Sequence, residues 1–332
     1  LLAVYVHWPF CARLCPYCDF NIHLDRKDES AALIAAILSD LSAQAARFDL
    51  VGPVGSVFFG GGTPSLMRPG DVAAILEHID TLWRLAPEAE LCLEANPDLA
   101  DSAAFAGFRA AGIERVSLGV QALDDAALKF LGRTHTAAGA LSAIDQAAEV
   151  FPRVSVDLIY ARPGQTVAAW QDELCRALAL PVSHLSLYEL TIEPQTAFGR
   201  QVARGRWTPP SPDLRADLFE ATHAFCAASG FAAYEVSNFA RGKAARSVHN
   251  MAYWQAGEWV GVGPGAHGRV SRDGIRCETE TLANPTAYAR AIAGSPDGAW
   301  QRIDPMTAAE VLQERLLLGL RLVEGMNPPR EQ

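Results

Sequence analysis

Three thiols fall within eight residues near the start of the chain, in Cys11-Ala-Arg-Leu-Cys15-Pro-Tyr-Cys18. They follow the apolar run Val4-Tyr5-Val6-His7-Trp8, whose β-branched and aromatic side chains predict a strand. This stretch constrains the fold most, because such a loop can offer three sulfurs to one inorganic centre. Thiolates are soft ligands that select zinc, Cu(I) or iron-sulfur clusters. A structural zinc site asks for a fourth Cys or His at matching spacing, and no such pair is apparent. A cubane cluster held by three cysteines leaves one iron free to take a small chelating molecule. A zinc site lacking one ligand and unligated core cysteines are the alternatives. Cys92, Cys175, Cys226 and Cys277 are scattered singly and are assigned to packing.

The chain of 332 residues, 50% hydrophobic, can hold one large α/β domain or two average ones. No apolar run approaches the roughly 20 residues that span a bilayer, and no basic segment precedes a signal-peptide core. Seven cysteines, clustered rather than paired, suit a reducing compartment, so a cytoplasmic location is expected. A net charge of -10 argues against a nucleic-acid partner, because affinity for phosphates comes mostly from Lys and Arg.

Up to about residue 230, strand-like runs alternate with helical stretches. The predicted strands are Val4 to Trp8, Ser56 to Phe59, Leu91 to Glu94, Arg115 to Gly119, Val154 to Ile159 and His184 to Tyr188. Helices are predicted near 30–47, 70–85, 101–111, 124–150, 166–179 and 213–229. Serial βα units give an open doubly wound sheet or a barrel, and both place ligands at the C-terminal strand ends. Beyond 230 the rhythm stops, with a boundary near Pro209 to Pro212 or after the helix that follows. Thr307 and Glu310 match a capping box before Leu316, Leu317, Leu318 and Leu320, which predicts a late packing helix.

The cysteine spacing, the aromatic before Cys18 and the upstream strand resemble the radical S-adenosylmethionine (SAM) superfamily. The resemblance implies an α/β fold, a partial (βα)6 TIM-like barrel over 1–230, with a smaller C-terminal accessory region over 231–332. It implies a [4Fe-4S] cluster on Cys11, Cys15 and Cys18, with the open iron chelating SAM. The likeness extends to the oxygen-independent coproporphyrinogen III oxidase branch through Glu94-Ala95-Asn96-Pro97, Gly119-Val120-Gln121 and Asp157-Leu158-Ile159-Tyr160. Positions matching SAM contacts in that branch are Tyr5, Gly61, Gly62, Thr63, Glu94, Gln121, Arg133 and Asp157, with Tyr17 beside the cluster. A SAM pocket needs an anion, a cation and hydrogen-bond acceptors, and these residues supply them. Ala161-Arg162-Pro163-Gly164 departs from the common Gly-Leu-Pro-Gly by a bulky cation.

His249, Asn250, Tyr253 and Trp254 are similar to the His-Asn-x-x-Tyr-Trp signature of the HemW-type haem chaperones in the same branch. Neutral His can ligate haem iron, and Tyr and Trp offer flat apolar surface to a porphyrin. A hydrogen-bonded structural corner is the alternative. The resemblance implies a chaperone that binds haem and transfers it to client proteins, with His249 the leading ligand and His7, His23, His135 and His267 as others. The rival reading is oxidative decarboxylation of coproporphyrinogen III. Against it, Phe20 stands where oxidases of the branch resemble a loop with a fourth Cys, and only ten residues precede Cys11. Members of the chaperone group usually continue past the late helix, so a truncated C-terminal region is expected. A homodimer and peripheral membrane contact are compatible with this reading.

Overall fold

Along six parallel strands, side chains alternate between polar ones that face a common lumen and apolar ones that face helices. A computed structural model of the chain describes residues 1–25, 27–99 and 101–326, so 327–332 of the expected C-terminal region lie outside the described residues. The strands are β1 (Leu2–Trp8), β2 (Val54–Gly61), β3 (Leu85–Ala95), β4 (Arg115–Gln121), β5 (Arg153–Tyr160) and β6 (His184–Glu189). Each pairs in parallel with the next, the sequential order of a barrel rather than the reversing order of a doubly wound sheet. The register sets Glu94 opposite Ser117, Ser117 opposite Ser155 and Asp157 opposite Ser186. The alternate positions Val57, Phe59, Leu93, Val116, Leu118, Val156 and Leu187 are buried in the core beneath the helices. Burying each such side chain contributes about 1.5–3 kcal/mol, so the apolar outer face holds the helices on.

All six predicted strands form, most of them longer than the apolar runs alone suggest. The helices include α1 (Ser30–Arg47), α2 (Pro69–Trp83) and α3 (Ser102–Ala110). The stretch 124–150, predicted as one helix, forms two: α4 (Asp125–Phe130) and α5 (Ala137–Val150). Gly132, at φ 73°, ends the first, and the Thr136 hydroxyl caps the second by accepting from the Gly139 N–H. Arg133 is carried on the break. Then come α6 (Val167–Leu178), α7 (Ala197–Ala203) and α8 (Pro212–Ala228), each begun by a Thr or Ser cap.

After residue 230 the chain adds strands to both edges of the six. The short β7 (Ala232–Ala233) and β8 (Asn238–Ala240) run antiparallel beyond β6, while β9 (Trp259–Val262) pairs in parallel with β1. Antiparallel β10 (His267–Arg272), β11 (Ile275–Thr281) and β12 (Trp300–Pro305) complete a 12-stranded sheet ordered β12-β11-β10-β9-β1-β2-β3-β4-β5-β6-β8-β7. Between β8 and β9 the chain crosses from one edge to the other, carrying α9 (Val248–Trp254) against β2. The remaining helices are α10 (Pro285–Gly294) and α11 (Ala308–Gly319), the latter opened by the expected Thr307–Glu310 capping box. The expected inward packing of its leucines is not found: Leu317 and Leu320 are 63% and 73% exposed. Cys92, Cys226 and Cys277 are buried as expected, but Cys175 is exposed, because it lies on the solvent side of α6.

The crossing segment is fastened from inside the barrel. Glu90, 1% exposed, pairs with Arg115 at 3.1 Å and Arg153 at 2.8 Å, and accepts from the Ser247 hydroxyl and the His249 N–H, each at 3.2 Å. Burial alone would raise its pKa; Arg115 and Arg153 outweigh that and hold the carboxyl below its usual range. Removing one member of a buried ion pair strands the other, at a cost of about 3–5 kcal/mol. Glu90→Ala is therefore expected to lower stability by that amount, read as a shifted urea midpoint. The deficit should be full above pH ~4.3, where the unfolded carboxyl is ionised, and shrink as pH falls through the lowered folded value.

Candidate functional site

The cysteine loop is closed at its base and tethered at its far side. Phe10–Cys11 and His23–Leu24 pair as short parallel strands, with the His23 N–H donating to the Pro9 carbonyl at 2.8 Å. The Asn21 amide donates to the carbonyls of Pro264 and Ala283, both at 2.8 Å, so the C-terminal region holds the loop in place. The triple-glycine turn lies directly against it. Gly62 donates to the Trp8 carbonyl at 2.7 Å, and a Cβ there would sit 2.6 Å from the Phe10 carbonyl oxygen. Gly61, at φ 105°, passes so close to His7 that a Cβ would lie 2.5 Å from the ring. Glycine is required at both positions by this approach.

Cys11, Cys15 and Cys18 open onto one cavity of about 430 Å³ at the C-terminal ends of the strands. The Thr63 hydroxyl donates to the Cys11 sulfur at 3.5 Å, and the Arg133 guanidinium donates to Cys15 at 3.4 Å. Burial raises the Cys11 thiol and pushes Cys18 up to about 12, so these thiols release protons when they take a metal. Among the described residues no three His, Cys, Asp or Glu side chains converge on a single ion. In a cubane each thiolate takes its own iron, so sulfurs opening separately onto one cavity suit a cluster.

The same cavity is lined by Tyr17, Gly61, Gly62, Thr63, Glu94, Gln121, Arg133 and Asp157. Of the expected SAM contacts only Tyr5 lies elsewhere, in a second cavity deeper in the lumen. Burial, and then the nearby Asp157, push Glu94 up to about 8, while the Gly61 N–H at 3.3 Å acts in the opposite direction. Asp157 is raised by burial to about 6, eased by the Ser117 hydroxyl at 3.1 Å. Neither acid has an ion-pair partner among the described residues, and two acids crowded in this way suit a positive ligand. Arg133 is held by the Asn96 amide oxygen at 2.6 Å and the Gly119 carbonyl at 2.9 Å, while its Nε has no partner among the described residues. It lines the cavity, where a guanidinium's planar fork suits an anion such as a carboxylate.

The second cavity, about 650 Å³, shares Glu94, Ser117 and Asp157 with the first, and burial keeps His7, His184 and His249 in its wall neutral. His7 Nε2 donates to the Asn21 carbonyl at 2.9 Å, which leaves Nδ1 to accept from the Tyr5 hydroxyl at 3.1 Å. His249, 1% exposed, bonds Ser56 at 3.0 Å through Nδ1 and Tyr253 at 2.8 Å through Nε2, and stacks on Phe58. Burial lowers His7 and His249 alike to about 4. Asn250 and Tyr253 line this cavity; Trp254 does not, and instead packs beneath the Arg321 guanidinium at 4.5 Å.

Several residues that matter here were not singled out from the sequence. Asn96 positions Arg133, and its place beside Glu94 at a strand end was the available signal. Ser117 meets Asp157 and was hidden among apolar neighbours. Arg162, the departure from the family loop, points away from the cavity into a buried pair with Glu173, whose carboxylate also accepts from the Leu123 N–H at 2.7 Å. The turn Ala161-Arg162-Pro163-Gly164 is thereby anchored by a buried ion pair.

A family model, the Radical SAM superfamily, matches residues 5–174. The chain is 42% identical over 330 residues to radical S-adenosyl methionine domain-containing protein 1, mitochondrial, of Bos taurus, covering 98% of this chain and 74% of that protein. It is 38% identical over 334 residues to heme chaperone HemW of Mycobacterium tuberculosis, covering 97% and 82%. To heme chaperone HemW of Escherichia coli it is 35% identical over 290 residues, covering 86% and 75%. Among solved structures, coproporphyrinogen III oxidase (HemN) from Escherichia coli superposes with a TM-score of 0.80 at 22% identity, over 97% of this chain and 75% of that one, a likeness of fold. With its three thiols, glycine turn and paired acids gathered at one end of a partial barrel, the chain belongs to the radical SAM superfamily, among its HemW-type members.

Proposed function

We propose that the chain is a haem chaperone that carries a [4Fe-4S] cluster and SAM, binds haem and passes it to client proteins. The observation that carries the cofactor reading is the single cavity shared by Cys11, Cys15, Cys18, the Glu94–Asp157 pair and Arg133. The haem reading is supported by relatives named heme chaperone that align with most of this chain. When bound, a cluster with one iron free of protein ligands supplies a single electron and a chelation point for SAM. The chain's own residues do the rest. Arg133 would pair with the SAM carboxylate, Glu94 and Asp157 would face its positive end, and Gly61, Gly62, Thr63 and Gln121 would present backbone and polar atoms to the nucleoside. Tyr17 would stand beside the cluster, and Tyr5 would take the side towards the lumen.

All seven thiols are free, which supports a reducing compartment and, within this proposal, the cytoplasm. No helix among the described residues is long and apolar enough to cross a membrane. Transient membrane contact at delivery and a homodimer belong to the same proposal.

Three outcomes test it. Cys15→Ala should abolish the iron-sulfur absorbance of anaerobically reconstituted protein while circular dichroism keeps the wild-type fold, because the barrel core lies away from the loop. SAM affinity for the reconstituted, oxidised protein should rise with pH between about 6 and 8, by about a hundredfold, since a cation binds the ionised acids and each must first lose its proton. Neutral S-adenosylhomocysteine should show a flatter profile by calorimetry. Incubation with SAM, reductant and coproporphyrinogen III should yield no doubly decarboxylated porphyrin by mass, and such a product would establish the oxidase instead.

A further inference from the structure

The chain has eight histidines, and haem iron needs an imidazole nitrogen that is both reachable and uncommitted. His7, His184 and His249 have both ring nitrogens bonded inside the protein: His184 to Ser155 at 2.6 Å and Tyr234 at 2.9 Å, the others as described. His78 bonds Ser42 on the outer helices, and His135 is buried against the Val120 carbonyl. His23 and His223 each have a buried Nε2 and line neither cavity. His267 is the exception. It is exposed, its ring has no hydrogen-bond partner among the described residues, and it lies at the rim of the 650 Å³ cavity.

We infer that His267, rather than His249, is the protein ligand to haem iron, at the mouth of the deeper cavity; this rests on the haem reading above. The surroundings suit a porphyrin. Phe20 stands at the same rim with 63% of its surface exposed, an apolar side chain with room to lie against a flat macrocycle. Tyr253 and Trp259 form an edge-to-face pair 4.6 Å apart on the cavity wall. The volume lies within the roughly 300–1,000 Å³ usual for clefts that take organic ligands. The backbone of His267 is pinned by the Trp259 indole N–H, which donates to its carbonyl at 3.0 Å, and by pairing with Glu280. A fixed backbone with an uncommitted ring is what a ligand that must bind and then release its cargo requires.

His249 takes a different part in this arrangement. Its Ser56–His249–Tyr253 chain joins β2 to α9 and holds the cavity wall, so it positions Tyr253 without touching iron.

The test is a haemin titration of full-length, cluster-reconstituted protein, followed by Soret difference spectra. Wild type should give a ligated band. His267→Ala, at an exposed position that the fold does not depend on, should weaken binding by about tenfold or more, since loss of even an outer-shell partner costs 10–100-fold at metal sites. Free imidazole should restore the ligated band. His249→Phe should leave the band position unchanged. A His267→Ala titration identical to wild type, or a band lost only in His249→Phe, would overturn the assignment. Absence of any ligated band in wild type would remove the haem reading itself, and the inference with it.

Discussion

One buried carboxylate ties the barrel to the segment that closes it. Glu90 stands on β3, draws Arg115 and Arg153 from the next two strands, and reaches the backbone and hydroxyl of the crossing segment at Ser247 and His249. Both arginines also donate to carbonyls of that segment, Arg115 to Ala245 and Arg153 to Arg246. Charge buried this deeply is tolerable only when fully partnered, so the strands and the crossing segment must assemble together. The site depends on this: α9, β9 and the Asn21 tether of the cysteine loop all follow from where the crossing segment lands.

Above that floor the lumen is polar by strand alternation. Serines, acids and neutral histidines occupy inward positions that a filled barrel would give to Val, Ile and Leu. The result is two connected cavities instead of a packed interior. Near the strand ends, burial and mutual repulsion raise Glu94 and Asp157, which suits them to a positive ligand. Deeper in, burial lowers the imidazoles, which keeps them neutral and bonded to hydroxyls. One desolvating environment thus has opposite effects on acids and bases and separates the lumen into two chemical zones.

Much of the site was legible as punctuation at strand ends. The cysteine spacing, Gly60-Gly61-Gly62-Thr63, Glu94 and Gln121 each follow an apolar run, Asp157 interrupts one, and the parallel topology gathers them at one face. Arg133 was readable as a residue but not as a geometry, because its position depends on a helix break at Gly132 that an Ala-rich stretch concealed. Glu90 escaped notice because it precedes the predicted run Leu91 to Glu94, and charge outside an apolar run reads as solvent-exposed until a longer strand and a lumen enclose it. The α11 leucines erred in the other direction: periodicity states that a helix has an apolar face, not what covers it.

Local chemistry is written along the chain, so sequence alone determined the strand-helix rhythm, the three-thiol loop and the set of residues at the strand ends. Those features depend on spacing and side-chain type. Tertiary structure decided which nitrogens are spent and which are free. His249 and His267 both sit in motif-like stretches, yet one is consumed by Ser56 and Tyr253 from distant or neighbouring positions while the other is left open at a rim. Availability of a donor atom is a property of its three-dimensional neighbours, and no reading of one residue's identity contains it.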